Sequence, residues 1–413
     1  MNPFLIIILA ILVGVYLLDV LVNRLNLRHV SPVLPAEFDG WYDAARYRTA
    51  QEYLKERTRL DILRKSVLLP LVILFILAGG FNVVDQAARS VPGGMIVNGL
   101  MFAGLLLGLA WLVHLPFSVY ATFVIEERYG FNRTTARTFI LDQVKAILLT
   151  GVIGGVVLAI VLALFDQAGA VAWIYCWIAV SAFQLFMLFI APVTILPLFN
   201  RFTPLAAGEL KTAIESCAAA QGFKLQGIYT MDGSRRSAKA NAFFTGFGKY
   251  RRIALFDTLI ARHPVPELVA VLAHEMGHYK LGHIFRQTFW SLIASGFMFY
   301  LLSLLIQEPR LFQAFRMSQD SLYAGLVLFG FLYIPVDTLI SIISCWMSRR
   351  FEFEADAYAA AATGAGDTLV AALKRLSVQH LANLTPHPLK VWLDYSHPPV
   401  LRRIEALRQR KQG

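Results

Sequence analysis

Charged residues and cysteines are scarce in this sequence. Only 16% of its 413 residues are charged and 57% are hydrophobic, and the mean hydropathy is +0.57. A soluble globular domain carries about 25% charged residues, so this composition excludes an ordinary soluble fold. The three cysteines include two in or beside apolar runs. This placement argues against a disulfide framework.

Two further absences narrow the class of protein. The N-terminal apolar run has neither a basic segment nor an A-x-A cleavage site, so we expect an uncleaved anchor rather than a signal peptide. The two halves of the chain show no internal repeat, which disfavours a transporter or channel. A transporter or channel nevertheless stays open as one interpretation of the chain.

Long apolar runs are what the sequence has in place of charge. A helix needs about 20 apolar residues to span a bilayer. Seven runs meet this length with no charge or a single acid, so we predict a mainly α, polytopic membrane protein with seven transmembrane helices. The runs are 3–23, 66–84, 90–125, 146–165, 167–200, 287–307 and 321–348.

The basic residues indicate how these helices are oriented. All but three of the 38 Lys and Arg residues fall in segments on one side of the predicted spans, the exceptions being Arg89, Arg310 and Arg316. The positive-inside rule places that basic side in the cytoplasm and the N-terminus outside. The net charge of +11 is then explained by orientation and by anionic lipid, so we expect membrane lipid and no nucleic acid as a partner.

The sequence H-E-M-G-H at 274–278 closes an apolar helical run. Residues four apart share a helix face, so His274 and His278 direct their imidazoles to one point. Two imidazoles there suit Zn²⁺, and the adjacent Glu275 can act as general base for a water at the metal. Because chance gives such a pattern in about one chain in a hundred of this composition, a further ligand is needed to support a zinc site. A zinc-binding scaffold without turnover and the transporter or channel named above are the two alternatives to an enzyme.

A second helical run supplies the expected third ligand. Glu352 and Asp356 are four residues apart and share a face, which predicts a ligand and a carboxylate that holds a ligand imidazole. Glu354 is the competing ligand, but it lies on another face and we expect it to be solvated. Gly277 inside the zinc helix costs about 1 kcal/mol relative to Ala, which predicts a close approach by another element there.

The segment 201–262 predicts a small α/β insertion. We expect a helix over 205–220, a strand over 224–231 and two short strands over 240–246 and 252–256 joined across Gly248. An edge strand beside the zinc helix can pair with an extended peptide, but it can equally serve only to cover the helix. We divide the chain into a five-helix transmembrane domain, 1–200, and a zinc metallopeptidase domain, 201–413, that includes two further transmembrane helices.

Three polar residues outside the zinc motif call for an interpretation. His283 lies five residues past His278 and off its helical face, so we do not expect it to be a ligand. Asp337 lies within an apolar run, where it is either functional, a partner for backbone freed by Pro335, or close to a helix end. His397 precedes two prolines on a rigid turn, where it is either a surface residue or a donor to an oxyanion.

We also predict a cytoplasmic amphipathic helix within 24–65.

Several motifs in one order resemble the integral-membrane CAAX prenyl proteases, zinc metalloendopeptidases of the gluzincin group. The resemblance covers almost the whole chain and includes H-E-M-G-H at 274–278. Its other motifs are E-E-R-Y-G-F-N at 126–132, N-A-F-F-T-G-F at 241–247, R-I-A-L-F-D-T-L at 252–259, R-F-E-F-E-A-D-A-Y at 350–358 and S-H-P-P at 396–399.

The resemblance implies a barrel of seven helices around a water-filled chamber and one Zn²⁺ per chain. It implies the following roles: metal ligands His274, His278 and Glu352; base Glu275; second-layer carboxylate Asp356; substrate-holding Asn241; transition-state donor His397; and Arg403 in support. Peptides or proteins, including lipidated ones, are the implied substrates, with membrane-protein quality control as the alternative. We expect the bacterial inner membrane, or the endoplasmic reticulum in a eukaryote, with the site on the cytoplasmic side.

Overall fold

The computed structural model describes residues 2–245 and 252–412, within which most of the chain is helical. The α-helices are α1 (Pro3–His29), α2 (Ala44–Leu77), α3 (Gly80–Arg89), α4 (Gly94–Tyr120), α5 (Ala136–Leu149), α6 (Gly155–Gln167), α7 (Ala172–Thr194), α8 (Leu196–Phe199), α9 (Glu209–Ala220), α10 (Asp257–Ile260), α11 (Val265–Lys280), α12 (His283–Leu305), α13 (Pro309–Ala314), α14 (Leu322–Thr363), α15 (Gly366–Gln379), α16 (Pro388–Asp394) and α17 (Val400–Gln412). The strands are β1 (Phe202–Pro204), β2 (Gly227–Met231), β3 (Ala242–Thr245) and β4 (Arg252–Phe256).

The membrane-spanning helices confirm the predicted fold class. In the described ranges, six helical stretches are long and apolar enough to cross a bilayer, and a seventh span arises if a bent pair counts as one. That pair is α2 and α3, whose axes differ by 66° at the break after Leu77. The backbone turns there through Gly79, whose φ of 73° is accessible to glycine at little cost. The chain is therefore a multi-pass membrane protein.

Helix α2 contains the helix predicted within 24–65 and continues past it into the second apolar run. It starts at Ala44, where the Asp43 carboxylate accepts a hydrogen bond from the Arg46 amide at 2.7 Å. Its first half buries Tyr47 and Tyr53 against α11, α15 and α17, while its second half is one of the apolar runs. One helix thus joins the membrane region to the part of the chain that carries the zinc motif.

Helix α14 is the longest element and connects the same two regions. It runs unbroken for 42 residues through Pro335, which at 1.5 Å per residue corresponds to about 63 Å. Asp337 lies in its middle, so the expectation that this acid sits near a helix end is wrong. Asp337 borders a cavity of about 550 Å³ between α7, α12 and α14, together with Tyr333 and Ser344.

The predicted α/β insertion is present, with corrected bounds. The strand order is β1-β2-β4-β3, with β2 parallel to β4 and the other pairs antiparallel. The helix begins at Glu209 rather than 205, and β1 was not predicted. The expected connection across Gly248 lies outside the described residues. Strand β3 is an edge of the sheet, with Ala242 opposite Leu255 and Phe243 opposite Ala254.

The end of the fifth apolar run contains two prolines. Helix α7 continues through Pro192 to Thr194, and the short α8 follows with Pro197 in its first turn. The chain then enters β1 and the insertion. This break therefore marks the point where the chain leaves the apolar helices for the sheet.

Candidate active site

The two histidines of the zinc motif lie side by side on α11. This helix has Pro266 in its first turn, where the missing N–H costs nothing, and Glu267 nearby as a favourable acid. His274 and His278 follow in its last turns, one helical turn apart. Their Nε2 atoms are 3.2 Å from each other, so both rings point to the same place, as the spacing predicted.

Glu352 on α14 faces both imidazoles. Its Oε1 lies 3.3 Å from His278 Nε2 and its Oε2 lies 3.5 Å from His274 Nε2. One ligand atom from each of the three residues falls within a common distance of 4.8 Å. The predicted ligand set is thus brought together from two helices that are far apart in sequence.

A buried carboxylate oxygen of Glu352 is left without a hydrogen bond. The residue is 4% exposed, and its Oε2 is a buried atom for which the described residues provide no hydrogen-bond partner. Arg403 Nη1 lies 3.0 Å away, but this contact is an ion pair whose angles do not satisfy a hydrogen bond. A carboxylate that faces one nitrogen of each imidazole and leaves a buried oxygen without a hydrogen bond is what a metal ion would satisfy.

Helices α11 and α14 can come this close because of Gly277. A Cβ on this residue would lie 3.1 Å from Ala355 Cα and 3.2 Å from Ala355 O. Those distances are too short for a side chain without a shift of the α14 backbone. The predicted close approach is therefore present, and it sets the separation between Glu352 and the two histidines.

The far nitrogen of His274 is held by a carboxylate, as predicted for Asp356. Asp356 Oδ1 is 2.9 Å from His274 Nδ1, and Arg403 donates to both Asp356 oxygens at 2.6 and 2.7 Å. Burial lowers the pKa of His274, but the neighbouring carboxylates of Asp356 and Glu352 outweigh this effect and raise the pKa to about 9. The surroundings of this imidazole thus favour positive charge.

The far nitrogen of His278 has a partner that sequence reasoning missed. Its Nδ1 lies 3.0 Å from Nδ1 of His283, whose Nε2 lies 3.0 Å from Glu354 Oε2. The sequence argument assumed one continuous helix, but α11 ends at Lys280 and a new helix begins at His283. The turn at Gly282, with φ of 69°, brings His283 back toward His278.

Glu354 is neither a ligand nor a freely solvated residue. Its carboxylate is 32% exposed and lies within 3.4 Å of nitrogens of His283, Arg286 and Arg350. The expectation that it does not bind the metal agrees with its position behind His283. The side chain is partly exposed, in line with the expected solvation, but its oxygens also face three nitrogen partners.

Glu275 and His397 border the same cavity. This cavity has a volume of about 280 Å³ and also contains His274, Glu352 and Arg403 in its lining. Burial raises the pKa of the Glu275 carboxyl. Glu275 therefore has the environment of a proton acceptor with increased basicity.

His397 lies in a bend just before Pro398, and its side chain is 65% exposed. Its Nε2 is 3.3 Å from Glu352 Oε1, and its Nδ1 is 2.9 Å from Ser396 Oγ. Partial desolvation of the ring by the surrounding protein lowers the pKa of His397. This histidine is exposed, as residue-level reasoning expected, but it faces the candidate metal centre.

Asn241 lies just before the edge strand β3 and lines the cavity. Its Oδ1 accepts from the Ala242 amide at 2.9 Å, and its carbonyl accepts from the Phe256 amide at 3.0 Å. The neighbouring Ala240 amide donates to Nε2 of His380 at 3.0 Å. His380 is a cavity residue that sequence reasoning missed, because nothing in its local pattern marks it.

The rest of the cavity wall is apolar and comes from helices on both sides of the site. It is formed by Leu259, Val271, Leu369, Leu373 and Leu376. A small pocket with apolar walls and a few convergent polar groups is typical of a site that binds an organic side chain next to a reactive centre.

Two family descriptions match this chain in succession. Residues 23–201 match "CAAX prenyl protease N-terminal, five membrane helices", and residues 204–411 match "Peptidase family M48". Together these matches extend over the apolar helices that follow α1 and over every residue of the site described above.

Individual relatives are similar over nearly the whole chain. The CAAX prenyl protease 1 homolog of Oryza sativa subsp. japonica is 32% identical, with 98% of this chain and 97% of the relative covered. CAAX prenyl protease 1 of Saccharomyces cerevisiae is 32% identical, with 93% and 90% covered. The human CAAX prenyl protease 1 homolog is 36% identical, with 78% and 76% covered.

A solved structure has the same fold. The crystal structure of S. mikatae Ste24p superimposes with a TM-score of 0.94 at 30% identity, covering 98% of this chain and 99% of the other. The chain therefore belongs to peptidase family M48 and is a multi-pass membrane metallopeptidase related to the CAAX prenyl proteases.

Proposed function

We propose that this chain is a zinc-dependent endopeptidase in which His274, His278 and Glu352 hold one Zn²⁺. The observation that carries the proposal is the convergence of their ligand atoms within 4.8 Å, with one oxygen of Glu352 buried and not hydrogen-bonded. Two imidazoles and one carboxylate are a ligand set used by catalytic zinc peptidases, which leave a further position for the reacting groups.

The protein's own residues can carry the proton transfers of peptide hydrolysis. Bound zinc supplies a Lewis acid that polarises a carbonyl and acidifies water. In our proposal, Glu275 accepts the proton of the attacking water and delivers it to the nitrogen of the leaving amine. Its buried position beside the histidines supports this role because burial raises its basicity.

His397 is proposed as the donor to the oxyanion. When Ser396 Oγ–H donates to Nδ1, the ring proton is on Nε2, the atom that faces the site at 3.3 Å from Glu352. A donor of this kind contributes about 3–4 kcal/mol to transition-state stabilisation in comparable enzymes. The contact with Ser396 supports the role because it orients the ring.

Asn241, Asp356 and Arg403 complete the proposed site. Arg403 binds both oxygens of Asp356 while its Nη1 lies beside Glu352, so it neutralises two buried carboxylates and orients His274 through Asp356. Asn241 stands on the cavity wall at the edge strand, where an amide can bond a peptide backbone. We propose that the peptide extends along this edge.

The proposed orientation places the site at the cytoplasmic face. Arg89, Arg310 and Arg316 are the basic residues assigned to the opposite side, and α3 and α13, which contain or adjoin them, pack near the N-terminal ends of α1 and α14. The proposed ligands lie toward the other end of α14. We propose 1–200 and 201–413 as the two domains, with lipid around the helices.

The proposed substrates are proteins or peptides with a lipidated C-terminus. Support comes from the relatives that carry the name CAAX prenyl protease and that align over nearly the full chain. The test compares one peptide in farnesylated and unfarnesylated forms, using purified protein loaded with zinc. We expect faster cleavage of the farnesylated form, whereas equal cleavage would favour general proteolysis of membrane proteins.

The variant Glu275→Gln tests the mechanism in the same assay. It keeps the shape of the side chain but cannot accept the proton, so we expect cleavage to fall about 10²–10⁴-fold with bound zinc unchanged. Glu215→Gln on the exposed face of α9 is the matched control and should cleave at the parent rate. Parent-like cleavage by the Glu275 variant would show that the proposed base is wrong.

A further inference from the structure

The two imidazoles of the proposed metal centre differ in what holds their outer nitrogen. His274 Nδ1 contacts the carboxylate of Asp356 directly at 2.9 Å. His278 Nδ1 instead contacts a second imidazole, that of His283, at 3.0 Å. Only the first arrangement was expected from the sequence, so the second contact needs its own explanation.

The protonation pattern of the His278 and His283 pair follows from the chemistry of a ligand. His278 directs Nε2 toward Glu352 and His274, so Nε2 must offer its lone pair to a metal. A neutral ring then carries its proton on Nδ1, and that N–H donates to the lone pair on His283 Nδ1. His283 in turn carries its proton on Nε2 and donates it to Glu354 Oε2 at 3.0 Å.

The structure fixes the His283 ring in the orientation that this relay needs. Its side chain is 1% exposed, and the ring stacks on Phe351 with a centroid separation of 4.3 Å and an interplanar angle of 9°. Phe351 directly precedes the ligand Glu352 in α14. His283 is therefore held against the element that carries the third ligand, and it cannot rotate without disturbing that packing.

Glu354 ends the relay with a fixed negative charge. Arg286 and Arg350 lie 3.3 and 3.4 Å from its oxygens, which holds the carboxylate beside His283 Nε2. The side chain is partly exposed, so water can complete its hydrogen bonds. The two ligand histidines are thus both connected to carboxylates, one directly and one through an additional imidazole.

We propose that His283 is a positioning residue that sets the tautomer and ring orientation of the metal ligand His278, with Glu354 as its anchor. This inference rests on the proposed zinc site. Outer hydrogen-bond partners of ligand histidines change metal affinity by about 10–100-fold when they are removed. His283 is not a ligand here, because the metal-directed atoms belong to His274, His278 and Glu352.

Metal affinity measured by chelator competition on the full-length protein in detergent tests the proposal. We expect His283→Ala to weaken Zn²⁺ binding about 10–100-fold. His283→Asn places an acceptor oxygen where Nδ1 stood, so it should recover most of the loss. The absorption spectrum of the Co²⁺-substituted protein should change in His283→Ala and return toward the parent spectrum in His283→Asn.

His263→Ala provides a matched control. His263 is also a buried imidazole paired with a glutamate, its Nδ1 lying 2.8 Å from Glu267 Oε2, and it touches none of the proposed ligands. We expect this variant to unfold at a lower temperature with unchanged zinc affinity. If His283→Ala does not fold, Glu354→Leu continues the test, because it leaves His283 in place and removes its anchor.

The outcomes separate this inference from the proposed function. A parent protein that binds no stoichiometric zinc would overturn the proposed function itself. Normal zinc binding by the parent together with parent-like affinity and Co²⁺ spectra in His283→Ala and Glu354→Leu would overturn only the role of His283. Equal losses in His283→Ala and His283→Asn would contradict the assigned acceptor.

Discussion

At the residue scale, a histidine outside the zinc motif stabilises the wall of the cavity by accepting a backbone hydrogen bond. His380 Nε2 accepts the Ala240 amide next to Asn241. Its place follows from the end of α15, where Leu381 adopts a φ of 51° and the Ala382 amide donates to the Ser377 carbonyl at 2.9 Å. This is a helix end in which glycine is usual, and a buried leucine fills it instead.

The protonation of His380 gives a pH prediction. Burial, with contributions from Lys239, His263 and Arg262, lowers the pKa of His380 to about 4 from an unfolded value near 6.5. Between these values the unfolded chain binds more protons than the folded one, so stability rises with pH. We expect the folded protein to lose at most a few kcal/mol from this group as the pH falls from about 6.5 to about 4.

Thermal unfolding midpoints of the parent and His380→Gln between pH 7.5 and 4.5 check this expectation. Gln carries an acceptor oxygen near the position of Nε2 but does not titrate in this range. The decrease of the midpoint with acid should therefore be smaller in the variant. An identical decrease in both proteins would mean that His380 does not contribute to the acid sensitivity.

Residue-level reasoning predicted the proposed ligands and the Asp356 partner of His274, but it missed the outer partner of His278 for a physical reason. Spacing of four within one helix identified His274 with His278 and Glu352 with Asp356, because helical geometry is local. The contact between His278 and His283 crosses a helix boundary at Gly282. The regular rotation of about 100° per residue, which predicts contacts within one helix, does not hold across this boundary. Contacts such as that of His380 with Ala240 join distant segments and leave no periodic trace.

At the element scale, the spacing between α11 and α14 sets the geometry of the site. Gly277→Ala tests this spacing, because the added methyl group would meet the Ala355 backbone at 3.1 Å. Alanine is the better helix former by about 1 kcal/mol, but overpacking of this kind typically costs about 1–3 kcal/mol. We expect a lower unfolding midpoint and weaker zinc binding, because Glu352 moves away from the histidines.

Gly330→Ala on α14 is the control. A Cβ at Gly330 meets no atom within 4 Å, so only helix propensity changes there. This variant should keep the zinc affinity of the parent. Parent-like zinc affinity and stability in Gly277→Ala would mean that α14 adjusts without cost and that the close approach does not position the site.

The elements were predictable where apolar length or strong breakers marked them. The apolar runs appear as helices, and Pro192 and Pro197 mark the end of the fifth run. Strand β1 was missed because three residues ending in Pro204 carry no alternation, and its pairing with β2 is a tertiary effect. The bend between α2 and α3 was missed for a similar reason, since the apolar run continues through it.

At the scale of the whole molecule, a bound metal would join two helices that belong to different parts of the chain. A ligand that binds only the folded state stabilises it by about 2.7 kcal/mol when its free concentration is 100 times the dissociation constant. Removal of zinc by a chelator should therefore lower the unfolding midpoint. The midpoint should rise again with added zinc in proportion to the logarithm of its free concentration.

Parallel measurements on Glu352→Gln check that this shift comes from the proposed site. The variant lacks the charged ligand, so its midpoint should respond little to chelator or to added zinc. A shift in this variant equal to that of the parent would place the stabilising metal elsewhere.

The sequence predicted the fold class and the apolar spans. It did not predict that single helices run from the apolar region to the proposed site. The amphipathic helix within 24–65 and the second apolar run were predicted as separate segments, yet α2 contains the former and most of the latter. Periodicity describes each segment alone, so it cannot reveal that two segments share one axis. The same holds for α14, which carries the seventh apolar run together with Glu352 and Asp356.

The single axis of α14 has a consequence for where a substrate can be cut. Arg349 and Arg350 end the apolar part of this helix, and Glu352 follows two residues later, about 3 Å further along the axis. The proposed ligand Glu352 therefore lies at a fixed, short distance from the apolar part of α14. For a polypeptide anchored in the same leaflet, we expect the distance from the anchor to limit which peptide bonds can reach the proposed site.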